Sequence, residues 1–193
     1  EDIIKDSESL IVNGGFLVAQ LEIPLNTVKY AVEIAKSKQV KTILNYSPVP
    51  SGVLEEDLIY QIDFLIVNEI EASGISGKKV NDIESAILAA RLIQRISEGC
   101  VIITLGEMGS VTAIEDDVWH TKAFNVDPKD TTAAGDAFIG GLVMALVNGQ
   151  KLKDAIIYAN ASGALATCKF GAQPSLPAYE EIVSFLKARG HQT

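Results

Sequence analysis

Four short runs of strand-forming residues recur along the chain with helix-forming segments between them. That alternation constrains the fold more than any other feature. Phe16–Glu22, Lys41–Asn45, Asp63–Val67 and Cys100–Thr104 each read as a strand. Between the first two lies Leu25–Ser37, where Val28, Ala31, Val32 and Ala35 fall on one helical face. Ser47-Pro48-Val49-Pro50-Ser51-Gly52 predicts a turn, Leu54–Tyr60 a short helix, and Asn81 to Ser97 a longer one. Asn81 fits as N-cap of that helix, with Glu84 as its reciprocal partner. Val111–Ile114 and Val118–Phe124 predict a hairpin across Glu115-Asp116-Asp117. After Pro128 the strands stop. Thr132–Asn148, ended by Gly149, then Leu152–Lys169 and Ala178–Ala188 predict three helices. The expected architecture is α/β: a three-layer α/β/α arrangement around an open, mostly parallel sheet, with added helices at the C-terminal end. No internal repeat or low-complexity linker interrupts it, so residues 1–193 read as a single domain or most of one.

Composition enters as a filter on function. With 48% hydrophobic and 21% charged residues, the chain is ordinary globular protein of a length that buries a real core. A net charge of −9 argues against nucleic acid as the main partner. The longest apolar run, Phe138 to Val147, is well short of the ~18 residues of a membrane span. Cys100 and Cys168 are far apart and flanked by apolar residues, the pattern of two buried, reduced thiols in a cytoplasmic protein. His120 and His191 stand alone, which leaves no basis for a His metal site or a Ser-His-Asp triad. The chain opens on Glu1 without a basic-then-apolar leader, and the expectation is that the natural start lies elsewhere. Chemistry must come from carboxylates, hydroxyls and backbone.

The segment best suited to that is Asp130-Thr131-Thr132-Ala133-Ala134-Gly135-Asp136-Ala137-Phe138. Thr131 or Thr132 can cap a helix whose first turn holds only Ala, Ala and Gly. Small side chains leave the free N–H groups open, and an open helix N-terminus is an anion site. Asp136 sits in the same first turns. One reading is that it complements the helix dipole, worth roughly 0.3–1 kcal/mol. The other is that it stands beside a phosphate cradle to take a proton from an attacking hydroxyl.

This segment resembles the C-terminal signature of the ribokinase-like sugar kinases, and three further motifs follow the same order. Asn68-Glu69-Ile70-Glu71 is similar to the family's N-x-x-E element. Thr104-Leu105-Gly106-Glu107-Met108-Gly109 is similar to its nucleotide-binding T-L-G-x-x-G turn. Lys169-Phe170-Gly171-Ala172-Gln173-Pro174-Ser175 resembles the late K-x-G-A-Q-P-S segment of the ribokinase branch. The family commonly has Gly where this chain has Ala133, and the bacterial ribokinase branch tolerates Ala there. The likeness runs from Gln20 nearly to the C-terminus.

The resemblance implies an ATP-dependent kinase that phosphorylates the primary hydroxyl of D-ribose to give ribose 5-phosphate. It makes Asp136 the general base, with Ala134 and Gly135 and the Asp136 N–H as an anion hole for charge on the transferred phosphate. It assigns nucleotide contacts to Asn68, to Thr104, Leu105, Gly106, Glu107, Met108 and Gly109, to Gly135, and to Asn160 near adenine. It gives Glu71 a water-mediated role toward Mg²⁺ and Glu22 a sugar-hydroxyl contact at a strand's carboxyl end. A monovalent cation, K⁺, falls to Asp130, Thr132, Ala166, Lys169, Gly171 and Ser175, largely through carbonyl oxygens. A homodimer is implied as well.

Each residue also has a plainer reading. N-x-x-E is a common helix cap, a strand-to-strand turn needs glycines without any nucleotide, Asn160 fits a satisfied helix-face amide, and Glu22 a solvated strand end. No G-x-x-x-x-G-K-[ST] and no strand-then-G-x-G-x-x-G is present, so P-loop and dinucleotide readings lack support. The resemblance covers the C-terminal part of the family. Its N-terminal sugar contacts, G-G-x-x-x-N motif and lid strands have no counterpart, and Gly14-Gly15 is the only early glycine pair. An exposed apolar sheet edge is therefore expected. Two alternatives stay open: a non-catalytic nucleotide-binding fragment, and a kinase of the same family for another sugar or nucleoside.

Overall fold

The structure, a computed structural model, describes residues 2–48 and 54–191. Residues 49–52 of the expected turn lie outside the described residues. The chain gathers into two compact units, one of Glu1–Leu105 with Val111–His120, the other of Gly106–Ser110 with Thr121–Thr193.

The first unit is built on a six-stranded sheet. In chain order its elements are α1 (Asp2–Asp6), α2 (Glu8–Val12), β1 (Phe16–Gln20), α3 (Leu25–Ser37), β2 (Lys41–Asn45), α4 (Glu56–Tyr60), β3 (Phe64–Asn68), α5 (Glu69–Ser76), α6 (Ile83–Ile93), β4 (Cys100–Thr104), β5 (Ser110–Ile114) and β6 (Asp117–Thr121). Only the first residue of β5 and the last of β6 fall in the second unit. Strand order follows the chain, β1 through β6. The first four strands run parallel, in registers Gln20↔Asn45, Ile43↔Phe64 and Phe64↔Cys100. Five residues join β4 to β5 and two join β5 to β6, far short of a parallel crossover, so these neighbours turn back on each other. This is the open, mostly parallel α/β sheet that the alternation predicts.

Apolar runs rather than alternating ones explain why the middle strands are central. Ile43 and Leu44, Leu65 and Ile66, and Val101 to Ile103 are buried at consecutive positions, so both faces of the sheet are covered there. β1 differs. It is an edge, none of its residues is fully buried, and Val18 is 44% exposed. Ile23, just past its end, is exposed too, which fits the expected apolar edge.

Asp63, just before β3, locks the amino ends of β2 and β3. Its carboxylate accepts from Lys41 Nζ at 2.7 Å and from the Thr42 N–H and hydroxyl at 2.9 Å each. Burial alone would raise this carboxyl. Lys41, the two Thr42 donors and the more distant Lys36 outweigh it and hold Asp63 below its ordinary value. No sequence motif announced this junction.

Several boundaries differ from expectation. The N-cap of α6 is Asp82, not Asn81, and its partner is Ser85, not Glu84: Ser85 N donates to Asp82 Oδ1 at 2.7 Å. The helix gives way to a 3₁₀ turn at Gln94–Ile96. The hairpin keeps Asp117 in β6, with Glu115 in the left-handed region carrying the turn. Cys100 is buried and its thiol pushed up to about 12 by desolvation, whereas Cys168 is only half-buried. Among the described residues no helix is long and apolar enough to cross a membrane.

The second unit holds α7 (Ala134–Val147), α8 (Leu152–Thr167) and α9 (Tyr179–Lys187). Small residues let α7 and α8 approach closely. A Cβ on Gly141 would come within 2.7 Å of Ser162 Cβ and 3.1 Å of the Tyr158 carbonyl. On the α8 side, a Cβ on Gly163 would sit 3.2 Å from the Ala134 carbonyl, beside the start of α7. Phe124 packs edge-on against Phe185 of α9, with ring centroids 5.2 Å apart.

Candidate functional site

In the second unit, the expected chemistry-bearing segment forms an uncapped helix start. α7 begins at Ala134, two residues later than expected, and neither Thr131 nor Thr132 caps it. The N-cap is Ala133, held at φ +60°, a conformation in which Ala is strained and Gly is not. The N-cap makes no side-chain cap hydrogen bond. The Ala134 N–H donates to the Thr131 carbonyl at 3.2 Å, and the helix's own ladder starts with Ala137 N to Ala133 O at 2.9 Å. Between them the Gly135 N–H has no partner among the described residues, and Gly135 is exposed with open space where a Cβ would point. Asp136, also exposed, stands next along the same turn. A carboxylate that repels a phosphate and an N–H that attracts one thus share a single helix end.

Just before it, Asp130 ties two loops together. Its Oδ1 accepts from Thr132 N and its Oδ2 from Gly171 N, each at 2.9 Å. The Thr132 hydroxyl, the Gly171 N–H and the Thr132 N–H hold the Asp130 carboxyl below its ordinary value. The Lys129 and Asp130 N–H groups both reach the Thr167 carbonyl, at 2.7 and 3.1 Å. So of the expected cation ligands, Asp130, Thr132 and Gly171 meet directly. Ala166 and Lys169 lie on and just past the end of α8, where Lys169 N donates to the Ala166 carbonyl at 3.3 Å. Ser175 is buried, its hydroxyl donating to the Ala172 carbonyl at 2.7 Å. Lys169 Nζ turns outward to Glu181 at 2.8 Å, which leaves its carbonyl as the group a cation could use. Carbonyl-rich surroundings with one carboxylate suit a large monovalent ion. The Thr167 carbonyl and Gly171 N–H contacts were not legible in the motifs, because they join positions about forty residues apart.

Asn160 on α8 is 7% exposed, and its Nδ2 donates to the Thr121 and Lys122 carbonyls at 3.3 and 3.5 Å. Those bonds are what the plainer reading of this amide requires, and they leave its oxygen to accept. In the T-L-G-x-x-G turn, Gly106 opens a 3₁₀ turn, Gly106–Met108, at φ +52° with open space around it, and Glu107 is exposed. Gly109 has a structural cause. At φ +97°, a Cβ there would lie 2.1 Å from the Thr121 carbonyl oxygen and 2.6 Å from the Ala123 nitrogen.

In the first unit, Asn68 and Glu71 close on each other at the start of α5. Asn68 Oδ1 accepts from Ile70 N and Glu71 N at 2.9 and 3.0 Å. Glu71 answers with Oε2 accepting from Asn68 N at 2.8 Å and Oε1 from Asn68 Nδ2 at 3.1 Å. This is a full capping box, with Glu71 only 5% exposed. The carboxylate is committed to the cap, so it fits Mg²⁺ only through its remaining lone pairs and water. No group of three or more His, Cys, Asp or Glu among the described residues could hold a metal. Thr104 ends β4 with its hydroxyl 3.4 Å from the Val67 carbonyl, and Leu105 after it is buried. Glu22 is exposed, two residues past the end of β1.

A family model described as pfkB family carbohydrate kinase matches residues 1–179. A ribokinase of Staphylococcus aureus (strain COL) is 41% identical over 183 residues, covering 94% of this chain and 59% of the relative. One from Haemophilus influenzae (strain ATCC 51907 / DSM 11121 / KW20 / Rd) is 38% identical over 187 residues, covering 97% of this chain and 60% of the relative. The solved structure of Arabidopsis thaliana ribokinase complexed with ribose and ATP superposes with a TM-score of 0.88 at 26% identity, covering 94% of this chain and 59% of that one. The chain thus spans about three fifths of the length of the relatives it matches.

Proposed function

Because this chain belongs to the pfkB family of carbohydrate kinases, we propose that it is the phosphate-handling part of an ATP-dependent kinase that converts D-ribose to ribose 5-phosphate. One observation carries the reading: the start of α7 is left without a side-chain cap, its Gly135 N–H is open, and Asp136 stands exposed beside it. Asp136 takes the proton from the sugar's primary hydroxyl as that oxygen attacks the γ-phosphate of ATP, and ADP leaves. The N–H groups of Gly135 and its neighbours hold the charge building on the transferred phosphate. In this reading the Ala134 N–H, now bonded to the Thr131 carbonyl, joins the hole only if that turn relaxes.

The remaining roles follow the expectations above. Asn68, the turn from Thr104 through Gly109, and Asn160 face the nucleotide, and Glu22 faces the sugar. Asp130, Thr132, Ala166, Lys169, Gly171 and Ser175 would hold K⁺, which supplies a fixed positive charge beside the anion hole. Mg²⁺ would be held by the phosphates of ATP, with water-mediated help from Glu71. A homodimer and a cytoplasmic setting belong to the same reading; sedimentation tests the first. The names of the matched ribokinases, one solved with ribose and ATP, support the substrates.

The test is ribose-dependent ADP release in the presence of ATP, Mg²⁺ and K⁺, with Asp136→Ala as the control. Unchanged turnover in that variant removes the mechanism, and equal rates in Na⁺ and K⁺ buffers remove the cation site. The coverage of three fifths favours a second reading, a nucleotide-binding fragment without turnover. ATP binding with no ribose-dependent ADP release selects it. Turnover with another sugar or a nucleoside, and none with ribose, changes the specificity and keeps the chemistry.

A further inference from the structure

The four parallel strands end in a row of polar side chains on one face. Gln20 of β1 pairs with Asn45 of β2, Asn45 pairs with Ile66 of β3, and Asn68, two residues on, pairs with Thr104 of β4. Paired residues of parallel strands share a face, and residues two apart on a strand share it again. Gln20, Asn45, Asn68 and Thr104 therefore line one side of the sheet at its carboxyl end, where open α/β sheets bind ligands.

Asn68 and Thr104 have protein partners in the first unit: the capping box for Asn68, the Val67 carbonyl for Thr104. Asn45 differs. It is half-buried, and its side-chain amide makes no hydrogen bond among the described residues. Its main chain is nonetheless fixed. Leu21 N donates to the Ser47 carbonyl at 2.9 Å, Tyr46 N to the Ile66 carbonyl at 3.0 Å, and Ser47 N to the Asn45 carbonyl at 2.8 Å. A rigid strand end that presents a half-buried amide, with no side-chain partner among the described residues, can meet something outside the protein.

The geometry points to Asn45 as a sugar-hydroxyl contact, a residue that helps decide which sugar is accepted. The amide both donates and accepts, and so does a hydroxyl; a phosphate oxygen only accepts. Position agrees, since Asn45 is the direct partner of Gln20, and Glu22 lies two residues beyond it. The nearest lysine on β2, Lys41, sits at the opposite end of the strand and is spent on Asp63. The inference rests on the proposed function in two respects: that the substrate is a sugar and that Glu22 faces it.

The experiment follows the Asn45 side-chain amide by NMR in the ¹⁵N-labelled chain, its signal assigned by loss in Asn45→Asp, while D-ribose and inorganic phosphate are added separately. Ribose is expected to move that signal and phosphate to leave it. In binding or turnover, Asn45→Ala and the similarly sized Asn45→Leu, neither of which keeps a donor or an acceptor, should weaken the ribose constant about tenfold, the effect of one lost neutral hydrogen bond, with the ATP constant unchanged. An amide that ribose does not move, or variants that handle ribose like the parent, overturn the inference. Turnover that survives with a normal ribose constant overturns it while keeping the kinase reading. A ribose-induced shift in a chain that binds no ATP keeps it while removing the kinase reading. Asn45→Leu keeps a similar volume, so misfolding of the Ala variant does not decide the outcome.

Discussion

α5 and α7 both begin with acidic residues in the first turn, yet they treat their unpaired N–H groups in opposite ways. At α5 the chain closes its own end. Asn68 and Glu71 satisfy each other's donors, and the carboxylate is buried in doing so. At α7 the chain leaves the end open. Ala133 adopts a left-handed conformation, no side chain caps, and Gly135 and Asp136 stay exposed. An end sealed by its own residues contributes to folding. An end left open at a strained backbone position gives up about 1 kcal/mol of capping, and that is retained where a ligand supplies the missing partner. The comparison predicts that substitutions at α5 act on stability and those at α7 on chemistry.

The sharpest break would come at Asp136. Asp136→Ala is expected to lower ribose-dependent ADP release by about 10²–10⁴-fold, the range for loss of a general base. Its thermal unfolding should change far less than its turnover, the dipole contribution being about 1 kcal/mol. A variant with normal turnover and a large stability loss would place Asp136 with the structural carboxylates, and the contrast would collapse.

Asp63 supplies the next largest effect and a pH signature. Its folded-state carboxyl is held below the ordinary value, so its contribution is fully present above the unfolded value near 4 and is lost as pH falls through the lower folded value. Asp63→Asn should cost about 1–3 kcal/mol at neutral pH, as charge-assisted bonds to Lys41 and Thr42 are lost. It should also flatten the acid limb of stability below pH 4. Urea midpoints of parent and variant across that limb decide it: parallel curves would mean the carboxylate is not the acid-sensitive group.

Asn68→Ala removes the cap of α5, with an expected loss of about 1–2 kcal/mol in thermal or urea unfolding. The same variant separates two roles. If ATP affinity falls only as far as partial unfolding explains, Asn68 is structural; a loss of affinity at temperatures where the variant is fully folded makes it a nucleotide contact as well.

These contrasts also show what a one-dimensional reading reaches. Leu25–Ser37, Lys41–Asn45 and Cys100–Thr104 match the structure residue for residue, because an apolar helical stripe or a bounded apolar run is itself the cause of the element. α1 and α2 escaped because neither buries a residue, so no periodicity marks them. α5 is absent from the expected elements although a helix cap is the plainer reading of N-x-x-E, and the capping box that Asn68 and Glu71 form bears that reading out. The start of α7 was misplaced because nothing in an alanine announces a left-handed residue; a glycine at 133 would have. In the α6 cap, Asn81 and Asp82 are equal candidates by type, and only the Ser85 contact distinguishes them. The segments of the proposed site stand out as motifs. The clasp of Asp130 on Gly171 does not, because a contact across about forty residues leaves no local pattern.

The smallest expected effect is the one that tests the logic of an open helix end most directly. Gly135 lies in the first turn of α7 at an ordinary helical conformation, with nothing within 4 Å of where a Cβ would stand. If folding alone had shaped this turn, alanine would be the better residue, since glycine in a helix costs roughly 0.5–1 kcal/mol. Gly135→Ala should therefore stabilise the protein by up to that amount in urea unfolding. It should also weaken phosphate-bearing ligands a few-fold, because the added methyl stands beside the Gly135 N–H, which has no partner among the described residues. Opposite signs in the two measurements are what the reading requires. A gain in stability with unchanged ATP affinity would mean the open end of α7 is merely uncapped, and the difference between the two helices would be one of stability alone.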